Sequence, residues 1–117
     1  MFLAIAFYVN PINRSLLGIL QMNQREIIKI KREDILRLAA RHGAKDIRVF
    51  GSIAREEADD QSDIDFLVEM EPGRSLMDMG GLQMDLQHLL GYPVDVVSVK
   101  GLKTRIKDRV LKEAVPV

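Results

Sequence analysis

Cysteine is absent from the chain, and its absence excludes several chemistries at the outset. A chain without thiols has no disulfide, no thiolate zinc site and no cysteine nucleophile. Histidine occurs only as His42 and His88, neither beside a plausible Ser–Asp pair, so a serine hydrolase triad is not predicted. The Gly-x-x-x-x-Gly-Lys-Ser/Thr loop of P-loop enzymes is also missing. Any catalytic chemistry is therefore sought among carboxylates and hydroxyls.

An excess of charge of one sign is missing as well, because 17 lysines and arginines balance 17 aspartates and glutamates. A balanced charge gives no global electrostatic argument for nucleic-acid binding, and no direct nucleic-acid binding is predicted. The hydrophobic fraction of 47% and the charged fraction of 29% are those of an ordinary globular protein. A length of 117 residues is enough for one domain with a core and too short for two.

No apolar run is long enough to span a membrane, which takes about 20 residues. Residues 1–9 are apolar, but they lack the basic start and the cleavage site of a signal peptide and are followed by Asn10-Pro11. We therefore expect no membrane association and a cytoplasmic location. Residues 1–21 differ in character from the rest, which suggests an extension of uncertain status before a domain over 22–117, with Met22 as a natural start. The alternative is an added strand or helix that packs on the domain or on a partner.

Two aspartates separated by one residue, Asp63 and Asp65, open an apolar run that follows a Gly51-Ser52 pair. In a strand, residues two apart point to the same face, so the two carboxylates would lie together. Like charges held close repel unless a cation lies between them, and magnesium prefers oxygen ligands. Asp-x-Asp in a solvated acidic loop is the alternative for the pair taken alone.

Asp95 lies in a third apolar run, between Val94 and Val96. Burying an ionised carboxylate there without a partner would cost several kcal/mol, on the order expected for isolated buried charges. We expect it beside Asp63 and Asp65 on a neighbouring strand, where three carboxylates could hold two metal ions for phosphoryl or nucleotidyl transfer. Asp95 could hold the second metal or accept the proton. A salt bridge to a nearby basic residue is the alternative.

The periodicity predicts alternating helices and strands in the order α-β-α-β-α-β-α, an α+β (α/β) fold with a small mixed sheet flanked by helices. Strands are expected over residues 46–50, 63–70 and 93–99, and the helices between and beside them over residues 33–42, 53–58, 75–91 and 101–114.

Several side chains receive specific structural predictions. Glu33 and Arg37 should form an i,i+4 pair, and Ser75 with Asp78 should form a capping box. The methionines of the third helix, namely Met77, Met79 and Met84, are expected to fill the core. The basic face of the last helix is expected to be solvated, with binding as the alternative; it comprises Lys103, Arg105, Lys107, Arg109 and Lys112.

A glycine after a strand lets the backbone approach a bulky ligand, and a helix from residue 53 would aim free N–H groups at the same place. Gly51-Ser52, ten intervening residues and Asp63-x-Asp65 together resemble the motif of the DNA polymerase β superfamily of nucleotidyltransferases. The longer string from Gly51 through Arg55 to Val68 is similar to its minimal nucleotidyltransferase branch. The resemblance extends from about residue 31 to the C-terminus and includes the strand with Asp95.

The resemblance implies the nucleotidyltransferase fold and a role for each motif residue. Gly51 and Ser52 would hold the phosphates of ATP, Asp63 and Asp65 would bind Mg²⁺, and Asp95 would complete a site for two ions. Arg55 would contact phosphate or form a salt bridge to nearby acids.

Many members resemble antitoxins of two-gene toxin–antitoxin systems. Such an antitoxin silences a HEPN-domain ribonuclease by transferring AMP from ATP to a tyrosine. The alternatives are an antitoxin that acts by contact alone and a transferase for a small molecule of the aminoglycoside type. We disfavour the last because 117 residues leave little room for a substrate pocket.

Overall fold

The computed structural model describes residues 22–117, so the predicted extension over 1–21 lies outside the described residues. Helices and strands alternate along most of this part, as predicted, and each predicted strand is present with slightly different bounds. The elements are α1 Gln24–Ile30, α2 Arg32–Arg41, β1 Ala44–Phe50, α3 Gly51–Ala54, β2 Ile64–Met70, α4 Leu76–Leu90, β3 Val94–Ser98, a 3₁₀ turn Val99–Gly101, α5 Thr104–Glu113 and β4 Val115–Pro116.

The four strands form one mixed sheet in the order β3-β2-β1-β4, which confirms the predicted α+β fold. β2 pairs in parallel with β3 and antiparallel with β1, while β4 pairs antiparallel with β1. Ile64, Phe66 and Val68 share one face of β2 and are fully buried, as the alternation predicts. Leu67, on the opposite face, is fully buried too, so this central strand is covered on both sides along much of its length.

Helix α4 begins and ends at the signals that the sequence contains. Ser75 and Asp78 form the predicted capping box, and Gly91 ends the helix with a left-handed backbone at φ 74°. Leu82, Leu86 and Leu90 form its buried stripe.

The prediction that the α4 methionines fill the core is wrong for two of them. Met77 is 86% exposed and Met84 is 60% exposed, while Met79 packs partly against the core. Both exposed methionines fall outside the stripe at Leu82 and Leu86, and the helical period decides burial more than side-chain type does.

The N-terminal helices differ from expectation. Two helices flank Lys31, which ends α1 with φ −94° and ψ 13°, and no glycine or proline marks this break. The predicted pair of Glu33 and Arg37 is wrong, because Arg37 contacts Asp34 at 2.6 Å and Glu33 lies 3.5 Å from Arg32. Arg37 therefore pairs with Asp34, the acid three residues before it on the helix, rather than with Glu33.

The end of α2 is tied to α4 by a side-chain pair. The Nε2 atom of His42 lies 2.7 Å from a carboxylate oxygen of Asp85, and a Cβ added at Gly81 would lie 3.0 Å from the imidazole. His42 is therefore a packing residue between two helices.

The C-terminal part contains a strand that was not predicted. β4 has only two residues, Val115 and Pro116, and pairs with Arg48 and Val49 of β1 at the edge of the sheet. The last helix is also shorter than predicted, beginning at Thr104 after the 3₁₀ turn. Among residues 22–117, no helix is long and apolar enough to cross a membrane.

Candidate active site

Asp65 and Asp95 lie side by side, as register partners on the parallel strands β2 and β3. Both stand at the N-terminal ends of their strands. Strand β1 runs the opposite way, so its C-terminal end, where Phe50 pairs with Asp65, reaches the same end of the sheet. The chain direction of three neighbouring strands therefore brings Gly51, Asp65 and Asp95 together from distant parts of the sequence.

Asp95 is exposed, so its charge carries no large burial cost in the folded chain. Its neighbours Val94 and Val96 point into the core, and alternation along the strand turns Asp95 to the other face. β3 is also the edge strand of the sheet. Asp65 is the more buried carboxylate of the pair, because its side chain is half-buried.

Gly51 follows β1 directly and has φ +74°, a left-handed backbone that glycine adopts without strain. A Cβ added there would overlap the carboxylate of Asp65. The positive φ and the contact with Asp65 together favour glycine at this point. The predicted approach of the backbone to a ligand stays a prediction. Ser52 is partly buried and lines the same cleft as Asp65 and Asp95.

The helix predicted over residues 53–58 is a single turn, Gly51–Ala54. A helix of this length has little macrodipole, so the predicted helix-end contribution to phosphate binding is lost. The backbone N–H of Gly51 and the hydroxyl of Ser52 remain as donors at the turn.

Asp63 lies in the loop before β2 and is exposed, so the prediction that it shares a strand with Asp65 is wrong. In residues 22–117, no three His, Asp or Glu side chains are grouped closely enough to form a ready metal site. Asp63 is nevertheless near enough for its charge to raise the pKa of Asp65. The structure thus pairs Asp65 with Asp95, while Asp63 lies in the loop before β2 and acts on Asp65 through its charge.

The pKa of Asp65 is raised from 3.8 to about 6, chiefly by burial and further by the negative charges of Asp95 and Asp63. The guanidinium of Arg55 opposes the shift but does not cancel it. The site therefore contains more negative charge than its own cations neutralise. A divalent cation with oxygen ligands would relieve this repulsion, so Asp65 and Asp95 fit a magnesium ion in chemistry and placement.

Arg55 forms the salt bridges that were one of its two predicted roles. Its Nε donates to Glu57 at 2.9 Å, and one terminal nitrogen donates to both carboxylate oxygens of Glu113 at 3.2 Å. These hydrogen bonds raise the pKa of the Arg55 guanidinium. Glu113 also accepts the backbone N–H of Gly51 at 2.7 Å.

Glu113 was not predicted to belong to the site. It ends the amphipathic helix α5, where a glutamate in sequence looks like one more solvated charge. Its contact with Gly51 joins residues 62 positions apart, so only the folded chain reveals it.

A cleft of about 610 Å³ joins these groups. One wall carries Gly51, Ser52, Asp65 and Asp95, and the facing wall comes from the 3₁₀ turn and α5. The basic face of α5 is exposed, as predicted, and three of its five members also line the cleft, namely Lys103, Arg105 and Arg109. A cleft with carboxylates on one wall and cations on the other can bind a polyphosphate together with a divalent metal.

The family model for the nucleotidyltransferase domain matches residues 24–117. A candidate protein adenylyltransferase of Methanocaldococcus jannaschii is 44% identical over 91 residues, which covers 78% of this chain and 97% of that protein. The protein adenylyltransferase MntA of Thermococcus cleftensis is also 44% identical, over 78 residues, covering 67% of this chain and 79% of its own.

Solved structures give the same picture of the fold. A candidate minimal nucleotidyltransferase superposes with a TM-score of 0.74 at 48% identity, covering 82% of this chain and 98% of that one. A toxin–antitoxin complex with AMP-PNP contains a chain with a TM-score of 0.63 at 22% identity, covering 72% of this chain and 69% of that one. At that identity the second likeness concerns the fold alone.

Proposed function

This chain belongs to the nucleotidyltransferase domain family and is therefore a nucleotidyltransferase, and we propose that it transfers AMP from ATP to a hydroxyl group of a partner protein. The observation that carries the proposal is the pairing of Asp65 with Asp95 directly beside the Gly51 turn. Carboxylates for a metal and N–H donors for phosphate are what this reaction requires, and the two sets share one cleft.

In this proposal the phosphates of ATP bind at the Gly51–Ser52 turn. The backbone N–H of Gly51 and the hydroxyl of Ser52 donate to phosphate oxygens, and the missing side chain at Gly51 lets the phosphates come close. Arg55 adds a cation that two carboxylates hold at the same turn. We assign no contact to the adenine base of ATP, because no residue of the cleft favours one nucleobase over another.

Asp65 and Asp95 would hold magnesium, with Asp63 of the loop before β2 as the third ligand of a site for two ions. Bound magnesium neutralises the triphosphate and makes the attacking hydroxyl easier to deprotonate. Asp65 supplies the half-buried and electrostatically strained carboxylate that gains most from a cation. Asp95, on the edge strand, lies where an acceptor from solvent can reach it.

The transfer forms a bond between the acceptor oxygen and the α-phosphorus and breaks the bond from that phosphorus to the oxygen bridging to the β-phosphate. Pyrophosphate leaves, and the hydroxyl proton passes to the exposed carboxylate of Asp95. Positioning and charge neutralisation do most of the work in such reactions, so the residues need little chemistry of their own.

The acceptor we propose is a tyrosine of a cognate HEPN-domain ribonuclease, which makes this chain the antitoxin of a cytoplasmic toxin–antitoxin pair. The names of two relatives, which describe protein adenylyltransferases, support a protein acceptor. The HEPN toxin and the tyrosine rest on the sequence resemblance alone.

Incubation of the purified chain with ATP, Mg²⁺ and the toxin encoded beside its gene tests the proposal. The toxin should become heavier by one or more AMP units in the mass spectrum and lose its ribonuclease activity. Asp65→Asn should abolish both effects, whereas Asp60→Asn, a matched change in an exposed loop, should preserve them. Neutralisation of an unmodified toxin by Asp65→Asn would contradict the proposal and favour an antitoxin that acts by contact alone.

A further inference from the structure

A carboxylate of the chain itself stands at the turn where phosphate is proposed to bind. One oxygen of Glu113 accepts the backbone N–H of Gly51 at 2.7 Å, and both oxygens accept from Arg55 at 3.2 Å. The Glu113 side chain is only 15% exposed, whereas Glu57, the other partner of Arg55, is 64% exposed. Glu113 is thus drawn into the cleft, while Glu57 pairs with Arg55 from the solvent side.

The position of Glu113 in its own helix does not account for this placement. Glu113 is the last residue of α5, and a helix C-terminus carries a partial negative charge that disfavours a carboxylate. Its charge also adds to the repulsion around Asp65. The compensation comes from the other side of the cleft, through the N–H of Gly51 and the guanidinium of Arg55.

We propose that Glu113 is an internal anion that holds the phosphate donors of the free enzyme and thereby sets its affinity for ATP. The proposal rests on the function proposed above, because it takes Gly51 and Arg55 to be the donors for the triphosphate. Glu113 presents two acceptor oxygens and a negative charge to these donors, as a phosphate group would. ATP must therefore displace Glu113, and Arg55 exchanges its carboxylate partner for a phosphate oxygen.

Glu113 is a positioning residue in this scheme, and a purely structural role makes a different prediction. If Glu113 served only to tie α5 to the Gly51 turn, its removal would loosen the cleft and weaken nucleotide binding. If it competes with phosphate, its removal strengthens binding, because the donors become free and one negative charge disappears. The two roles thus differ in the sign of the change in ATP affinity.

The experiment measures the Kd of the full chain for ATP and for AMP, with Mg²⁺ present, by isothermal titration calorimetry. Glu113→Gln removes the charge but keeps an oxygen for the N–H of Gly51, and Glu113→Ala removes both. We expect Glu113→Gln to lower the Kd for ATP by about two- to fivefold, the range for one partly exposed ion pair. AMP lacks the β- and γ-phosphates, so its Kd should change less.

Two matched controls separate the parts of the contact. Glu57→Gln frees Arg55 on its solvent side but leaves Glu113 on Gly51, so the Kd for ATP should change little. Glu71→Gln breaks an exposed pair with Arg74 and should not change the Kd for ATP. In about 1 M salt, where screening is strong, the gain from Glu113→Gln should shrink.

An unchanged or higher Kd for ATP in both Glu113 variants would overturn the proposal, as would equal gains for ATP and AMP. Circular dichroism identifies a variant that fails to fold, and Glu113→Gln then carries the test because it is isosteric with the wild-type side chain. The titration needs no acceptor protein. A lower Kd for ATP in a chain that labels no toxin would support this inference while contradicting the proposed acceptor.

Discussion

Asp65 lies half-buried between the Gly51 turn and Asp95, and its pKa is raised from 3.8 to about 6. The protonated form is thus favoured in the folded state, so the free energy of unfolding falls as pH rises from about 4 to about 6 and stays lower above that range. At neutral pH the metal-free fold contains a carboxylate whose ionisation opposes folding. A bound cation reverses this effect, which links stability to metal binding at this one residue.

We therefore predict that, without metal, Asp65→Asn is more stable than the wild type at pH 8 and loses this advantage at pH 4. The gain should be about 1 kcal/mol, well below the ~3 kcal/mol of the full pKa shift, because part of the side chain is in water. Urea unfolding at the two pH values, followed by circular dichroism, measures it. A wild type as stable as the variant at pH 8 would show that Asp65 is not strained.

Gly51→Ala tests the close approach of the backbone to the site. Alanine at φ +74° is strained, and its Cβ would overlap Asp65, so we expect a loss of stability above about 1 kcal/mol and a loss of ATP binding. Gly73→Ala is the matched control, because Gly73 has φ +87° and no atom within 4 Å of an added Cβ. Gly73→Ala should lose only the stability that alanine costs at a positive φ, and its ATP binding should be unchanged. Equal ATP binding in both variants would show that a Cβ at residue 51 does not disturb the site.

At the scale of elements, α4 contains two neighbouring glycines with different surroundings. An added Cβ meets nothing within 4 Å at Gly80 but lies 3.0 Å from the His42 ring at Gly81. Helix propensity favours alanine over glycine by about 1 kcal/mol. Gly80→Ala should therefore raise the free energy of unfolding by about 0.5–1 kcal/mol. Gly81→Ala should raise the free energy of unfolding by less, or lower it. Thermal unfolding compares them, and a larger gain at Gly81 would show that the contact between α2 and α4 is looser than the structure has it.

The elements that the sequence predicts well are those with both a period and a boundary signal. Helix α4 has its apolar stripe, the Ser75 capping box and Gly91, and it forms as predicted. The break at Lys31 has no such signal, and β4 is two residues whose pairing with β1 is decided by tertiary contact. Met77 and Met84 are exposed because they lie off the apolar stripe of α4, and the residue type alone does not predict this.

The residues of the candidate site also divide into those that a local sequence pattern predicts and those that it does not. Asp63, Asp65, Gly51 and Ser52 belong to one local motif, so the sequence predicts them together, and Asp95 is conspicuous as a carboxylate in an apolar strand. Glu113 and the basic residues of the facing wall have no local pattern that separates them from solvated charges. Their roles arise only when α5 closes over the end of the sheet.

At the scale of the whole molecule, one end of the mixed sheet holds every proposed functional group. Both the parallel pairing of β2 with β3 and the antiparallel pairing of β1 with β2 are needed for this convergence. The family match over residues 24–117 includes all of these elements. We therefore expect this end of the sheet to transfer a nucleotidyl group from ATP with the help of a divalent metal.

Incubation with ATP labelled at either the α- or the γ-phosphate, with Mg²⁺ and the cognate toxin, tests this expectation. We predict that the α-label appears in the toxin, that the γ-label appears only in released pyrophosphate, and that Asp95→Asn or removal of the metal abolishes both. A γ-label in the toxin would indicate phosphoryl transfer instead. That result, or labelling that persists without a divalent metal, would show that the site does not carry out metal-dependent nucleotidyl transfer.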